Sequence, residues 1–307
     1  MSDYHEPVLA QTSVEQLIFD NSGSYVDATF GGGGHSRLIL NELHPDGRLY
    51  AFDQDADVLP NLPDDTSGRF QFIPHNFRHL RQFMRLHGHR ADSLHGIFAD
   101  LGVSSHQFDA AERGFSFRFD AELDMRMNQS GDRTAADVLN HYSPEDLQAV
   151  LSEYGEVRNA RTVARTIVET REEEPFRTIE QLLRTLDPLV RGQRNRYLAQ
   201  LFQALRIEVN DEMGALRDLL TASLELLRPG GRLVVLSYHS LEDRMVKNFM
   251  KTGNIRGEQI KDDFGNIERP FKLITRKPVL PTEEEIARNP RARSARLRVA
   301  EKIETKA

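Results

Sequence analysis

Apolar residues in the first hundred positions fall into short runs closed by polar or turn residues, at 25–28, 49–53, 70–73 and 96–100. Runs this short, rich in aromatic and branched side chains, predict strands buried on both faces. Between them the apolar positions recur every three or four residues, as at Leu80, Phe83, Met84 and Leu86 within 77–87. That spacing predicts amphipathic helices. Strands alternating with helices predict right-handed βαβ units and a parallel sheet covered on both sides. The expected fold class is therefore α/β.

The rhythm breaks after residue 100. The next strand pattern is Arg232-Leu-Val-Val-Leu-Ser237, introduced by Arg228-Pro-Gly-Gly231, which reads as a turn. The interval far exceeds what one crossover needs. Its apolar residues keep helical spacing over 135–139, 144–151, 160–172 and 178–189. Ser143-Pro144-Glu-Asp and Thr178-Ile-Glu-Gln181 resemble helix starts. The expected organisation is 1–108 for the first part of a sheet domain, 109–205 for an inserted helical domain, and 206–307 for the second part. One long helix over 206–227 would return the chain to the sheet. Residues 271–275 and 297–303 read as a strand pair, and 251–266 as a loop.

The run Tyr25-Val-Asp-Ala-Thr-Phe-Gly-Gly-Gly-Gly-His-Ser36 joins the first strand to a helix. Glycine tolerates positive φ and lets a ligand approach the backbone. The helix that follows offers free N–H groups at its start, with Ser36 as a candidate cap. A dinucleotide fingerprint wants a third glycine where Ser36 stands. Asp27, inside the strand, suits a cationic ligand instead, and S-adenosylmethionine carries an ammonium and a sulfonium without a pyrophosphate. Asp53, closing the second strand, is placed to meet a ribose diol. Phe77, after the third strand, reads equally as an adenine platform, with Asn76 beside it, or as core. Asp100-Leu-Gly-Val-Ser-Ser105 ends the fourth strand, at the sheet edge where open α/β folds bind ligands. A plain turn would use the same residue types.

At 307 residues, 39% hydrophobic and 28% charged, the chain has an ordinary globular balance. No apolar run approaches a membrane span, and the first residues lack a secretory pattern, so a cytoplasmic location is expected. A net charge of −7 excludes a wholly basic nucleic-acid binder, but not local patches. Two such patches stand out. Arg113-Gly-Phe-Ser-Phe-Arg-Phe119 interleaves arginine with aromatics and reads either as base-stacking or as a core-facing loop. Arg291, Arg293, Arg296 and Arg298 are candidate phosphate contacts, against the alternative of a solvated face. His87-Gly-His89 lacks companion ligands, so no metal is expected.

Eight blocks together resemble one bacterial family. They are His5-Glu-Pro-Val-Leu9, Asp27-Ala-Thr-Phe-Gly-Gly-Gly-Gly-His-Ser36, Asp100-Leu-Gly-Val-Ser-Ser105 and Arg113-Gly-Phe-Ser-Phe117. The others are Leu123-Asp-Met-Arg-Met127, Phe202-Gln-Ala-Leu-Arg-Ile207, Ser240-Leu-Glu-Asp-Arg244 and Asn289-Pro-Arg-Ala-Arg-Ser294. The family is RsmH (MraW), the 16S rRNA (cytosine-N4)-methyltransferases. The resemblance implies a Rossmann-like methyltransferase with an inserted helical domain that recognises substrate. It implies S-adenosyl-L-methionine as cofactor, held at Gly33, Gly34, His35, Asp53, Phe77, Asp100 and Gln107. It implies methylation of N4 of a cytosine in the decoding centre of 16S rRNA, within the small ribosomal subunit. Gly32 and Tyr238 depart from the family pattern, where a basic residue and Phe are usual, and neither is expected to touch a carried-over contact.

The absence of cysteine closes the route to C5 of cytosine, which needs a thiolate nucleophile. The exocyclic amine remains. Asp100 is the candidate catalytic residue, accepting a hydrogen bond from that amine, or else it serves only the cofactor. Two other functions remain as rivals: an RNA-binding assembly factor with a vestigial cofactor site, and an NAD-type oxidoreductase.

Overall fold

The computed structural model describes residues 7–261, 265 and 269–304. His5 and Glu6 of the first block, and residues 262–264 and 266 of the expected loop, lie outside the described residues. Two compact units form, one from 1–102 with 213–307, the other from 103–212.

The first unit is a Rossmann-like α/β domain. Its sheet contains β1 (Ser24–Asp27), β2 (Arg48–Phe52), β3 (Phe70–Ile73), β4 (Leu94–Asp100), β5 (Leu227–Ser237), β6 (Phe271–Leu273) and β7 (Arg296–Lys302). The order is β3-β2-β1-β4-β5-β7-β6. β1 to β5 run parallel, whereas β7 is antiparallel to both β5 and β6. The chain winds outward from β1 to β3 and then crosses to β4 on the other side. The strand order therefore reverses at β1 and β4, and open α/β sheets bind ligands at such a reversal, beyond the carboxyl ends of the strands. Tyr25, Phe52, Ile97, Phe98 and Val234 are wholly or almost wholly buried, the mark of a sheet covered on both faces.

β5 begins earlier than its sequence suggested. The Pro229-Gly-Gly231 segment is not a separate turn but part of the strand, with an irregular register opposite Leu94 and Gly96. A Cβ on Gly231 would lie 2.9 Å from the Leu94 carbonyl oxygen, so glycine permits this close pairing. The single helix expected over 206–227 is two, Arg194–Asn210 and Glu212–Leu226. Asp211, at φ 45°, breaks it. No stretch of apolar spacing could show this, because one left-handed residue barely shifts the pattern.

The second unit is helical. Its core joins Leu139, Leu147, Ile167, Leu182, Leu198 and Leu205, one face from each successive helix. Thr134, Ser143 and Thr178 cap three of these helices. The arginine–aromatic block 113–119 mostly serves this core. Phe115 is buried, and the buried Arg113 donates to the carbonyl oxygens of Arg126 and Met127. Phe119 alone of its aromatics is exposed. Among the described residues no helix is long and apolar enough to cross a membrane.

Candidate functional site

The glycine turn is built by left-handed residues. Gly31 has φ 51° and Gly33 φ 71°, and Gly33 caps the helix Gly34–Glu42 with no side-chain bond. Ser36 is therefore not the cap. It lies inside the helix and donates from Oγ to Asp27 Oδ2 at 2.6 Å. The turn needs its glycines for packing as well as for φ. A Cβ on Gly33 would meet the Phe30 ring at 2.7 Å, and one on Gly34 would meet Pro7 at 2.5 Å.

Three carboxyls stand at neighbouring strand ends. Asp27 closes β1 and is completely buried, accepting from Ser36 and from the Thr29 N–H. Asp53 follows β2 and accepts from the Gly31 N–H at 2.7 Å and the Asp55 N–H at 2.9 Å, so it ties the glycine turn to β2. Asp100 closes β4, and its own N–H donates to Thr29 Oγ1 at 2.7 Å, latching β4 to the β1 end. Burial, which disfavours the charged form, raises all three. Asp27 and Asp53 move up to about 6 and Asp100 to about 7. Repulsion from Asp27 adds to this at Asp53 and at Asp100. A quarter of the Asp100 side chain remains open to solvent, so it is not sealed in the core. Among the described residues no lysine or arginine pairs with any of the three.

His35 lies beside them, with Nδ1 3.8 Å from Asp100 Oδ2 and Nε2 3.1 Å from the Val8 carbonyl oxygen. Burial lowers its pKa to about 4, so it is neutral at physiological pH. Phe77 begins a short turn of helix after β3 and is half-buried against the core. Asn76 caps that turn and donates to Gln54 Oε1 at 2.9 Å. Gln107 lies in the helical unit, where its Oε1 accepts from the Ser104 N–H in a capping box. The first unit thus gathers Gly33, Gly34, His35, Asp53 and Asp100 around the β1/β4 reversal, with Phe77 at the end of β3.

Sequence reasoning missed Tyr238. Its hydroxyl donates to Asp100 Oδ1 at 2.8 Å. The expectation that neither departure from the family pattern touches a site residue fails here, because β5 lies next to β4 in the sheet. The only signal was the departure itself. Tyr238 also lines a depression of about 310 Å³, with His239, Ser240, Arg293, Ser294 and Arg296.

The four candidate phosphate arginines are not equivalent. Arg298 is buried and grips Asp243 through two bonds, at 2.7 and 3.1 Å, and Arg296 reaches the same carboxylate at 3.1 Å. Burial would raise Asp243, but the guanidinium bonds prevail and lower it. Arg298 is thus structural, whereas Arg293 is exposed.

A Rossmann-like sheet with a glycine turn after β1 and acids at the ends of β1, β2 and β4 has the layout of a nucleotide-cofactor site. The chain belongs to the MraW methylase family, whose profile matches residues 2–303. A relative from Parabacteroides distasonis, named ribosomal RNA small subunit methyltransferase H, is 53% identical over 303 residues, 98% of each chain. Relatives of the same name from Flavobacterium johnsoniae (54%, 98% of each chain) and Cytophaga hutchinsonii (52%, 97% of this chain and 99% of the other) are similarly close.

Proposed function

We propose that the chain transfers a methyl group from S-adenosylmethionine to N4 of a cytosine in the decoding centre of 16S rRNA, within the small ribosomal subunit. The observation that carries the cofactor reading is the set of carboxyls at Asp27, Asp53 and Asp100. They are buried or half-buried, all raised by desolvation, with repulsion from Asp27 adding at Asp53 and Asp100, and among the described residues no lysine or arginine pairs with them. Such a cluster fits a ligand that brings its own positive charge. A pyrophosphate would add repulsion instead, which disfavours the NAD-type rival. Each Asp53 oxygen accepts one backbone N–H and keeps lone-pair capacity for a ribose hydroxyl. Gly33, Gly34, His35 and Phe77 complete the proposed cofactor site, and a cofactor contact at Gln107 is supported by the family resemblance alone.

When bound, the cofactor supplies an electrophilic methyl carbon. The protein's part is to orient the amine and manage its proton. The lone pair of a cytosine amine is delocalised into the ring, which makes it a poor nucleophile. Asp100 Oδ2 accepts one N4 hydrogen, localising that lone pair and favouring the charge that grows on nitrogen. With its pKa near 7, the same carboxyl is suited to taking that proton. Ribosomal RNA as substrate is supported by the names of the relatives, and N4 by the family resemblance and the lack of cysteine. Arg293, Arg296 and Ser294 around the depression beside Tyr238 suit a phosphodiester. The helical insertion, 109–205, is proposed as the substrate-recognition domain.

Calorimetry tests the cofactor reading. S-adenosylmethionine should bind with release of protons at pH 6, and more tightly at pH 8, because its cations favour the ionised carboxyls. NADH should not bind. Equal affinity at the two pH values, or preference for NADH, would refute it.

A further inference from the structure

Asp100 has two oxygens in different situations. Oδ1 accepts from the Tyr238 hydroxyl at 2.8 Å. Oδ2 faces His35 Nδ1 at 3.8 Å. His35 Nε2 lies 3.1 Å from the Val8 carbonyl, which can only accept, so the ring's proton belongs on Nε2. Nδ1 then presents a lone pair to Oδ2 and gives it no proton. Among the described residues no other side chain donates to Oδ2.

Tyr238 is itself firmly held. It follows β5, whose Leu236 pairs with Asp100 across the sheet, and its N–H donates to Glu242 Oε2 at 2.9 Å. Burial, then the Asp100 charge, raises its phenol well above the ordinary value, so it remains a donor throughout the physiological range.

We propose that Tyr238 is the positioning residue for Asp100: its hydroxyl fixes Oδ1 and leaves Oδ2 as the acceptor presented to the substrate amine. This rests on the assignment of Asp100 to that amine. Without the hydroxyl, Asp100 loses its only side-chain donor among the described residues, and nothing decides which oxygen faces the substrate amine. The charged form also loses support. Four groups face Asp100: Tyr238 after β5, His35 in the helix after the glycine turn, Asp27 at the end of β1 and Glu242 in the helix Ser240–Thr252. His35 is neutral, and Asp27 and Glu242 both oppose a second negative charge. Tyr238 alone favours the carboxylate.

The test is a carbon-13 carboxyl titration by NMR of the full chain, wild type and Tyr238→Phe, with Asp100 assigned by its loss in Asp100→Asn. Single-turnover methylation of small subunits is measured across the same pH range at saturating S-adenosylmethionine. The Asp100 midpoint should rise by about one pH unit in Tyr238→Phe, the size of one lost hydrogen bond to a charged acceptor. The acid limb of the rate should move with it. Superimposable Asp100 titrations in the two proteins would overturn the proposal. So would a rate lowered equally at every pH with an unmoved limb, the behaviour of a merely structural residue. A midpoint that moves while Asp100→Asn methylates at the wild-type rate would instead remove the role given to the Asp100 carboxylate.

Discussion

Asp27→Asn should make this protein more stable at alkaline pH while weakening its site. Asp27 is fully buried, and its two oxygens accept from the Thr29 N–H and the Ser36 hydroxyl. Asparagine can keep Oδ1 on Thr29 and turn Nδ2 toward Ser36, whose hydroxyl also accepts. Well below pH 3.8 the aspartate is neutral in both folded and unfolded chains and costs nothing. As pH rises, the unfolded chain ionises first, and the native carboxyl, with its pKa raised to about 6, must finally ionise in a dry site. Stability is therefore lost as pH climbs through that window, by about 3 kcal/mol at pH 8 and about 0.5 kcal/mol at pH 4. Any difference between asparagine and the protonated acid is the same at all pH and cancels in the comparison. Urea melts of both proteins at pH 4 and pH 8 should show Asp27→Asn gaining about 2–3 kcal/mol more at pH 8 than at pH 4. A stability difference that does not change with pH would refute the reasoning.

Asp53→Ala removes both a diol acceptor and the tether of the Gly31 N–H, so S-adenosylmethionine should bind about ten- to a hundredfold more weakly by calorimetry. An unchanged dissociation constant in a folded variant would sink that assignment. Arg293→Ala should lower the slope of log affinity for rRNA against log salt by about 0.7–0.9 and leave the melting temperature alone. Arg298→Ala should do the reverse, costing about 3 kcal/mol in urea melts by uncovering Asp243, with no change in the salt slope. Matching salt slopes for the two variants would mean the distinction between buried and exposed arginines is wrong.

Much of the sheet was legible because strands buried on both faces leave a simple mark. Residues 70–73 are β3 as read, and β2, β4 and β7 differ from their expected limits by no more than two residues. What failed was governed by single backbone residues or by partners far apart in sequence. Asp211 divides a helix whose apolar spacing continues through it. Ser36 looked like a cap, yet Gly33 takes that place and Ser36 serves the Asp27 carboxyl, a pairing that needs the turn's actual path. The arginine run gave no sign that Arg298 faces inward, because strand alternation and a charge run look alike until Asp243 is found opposite. Tyr238 could be connected to Asp100 only once β5 was known to lie beside β4. Local pattern thus reached the strand-end acids at 27, 53 and 100, and missed the hydroxyls at Thr29, Ser36 and Tyr238 that hold two of them.

Small ribosomal subunits from cells lacking this protein are incubated with the purified chain and S-adenosylmethionine carrying a trideuterated methyl group. The rRNA is digested to nucleosides and oligonucleotides and mapped by mass. The expected result is one labelled cytidine in the decoding centre, with fragmentation placing the methyl on N4, and no label when Asp100→Asn replaces the wild type. Label on C5, on a ribose hydroxyl or on another base, or none with the wild-type chain, would contradict the account.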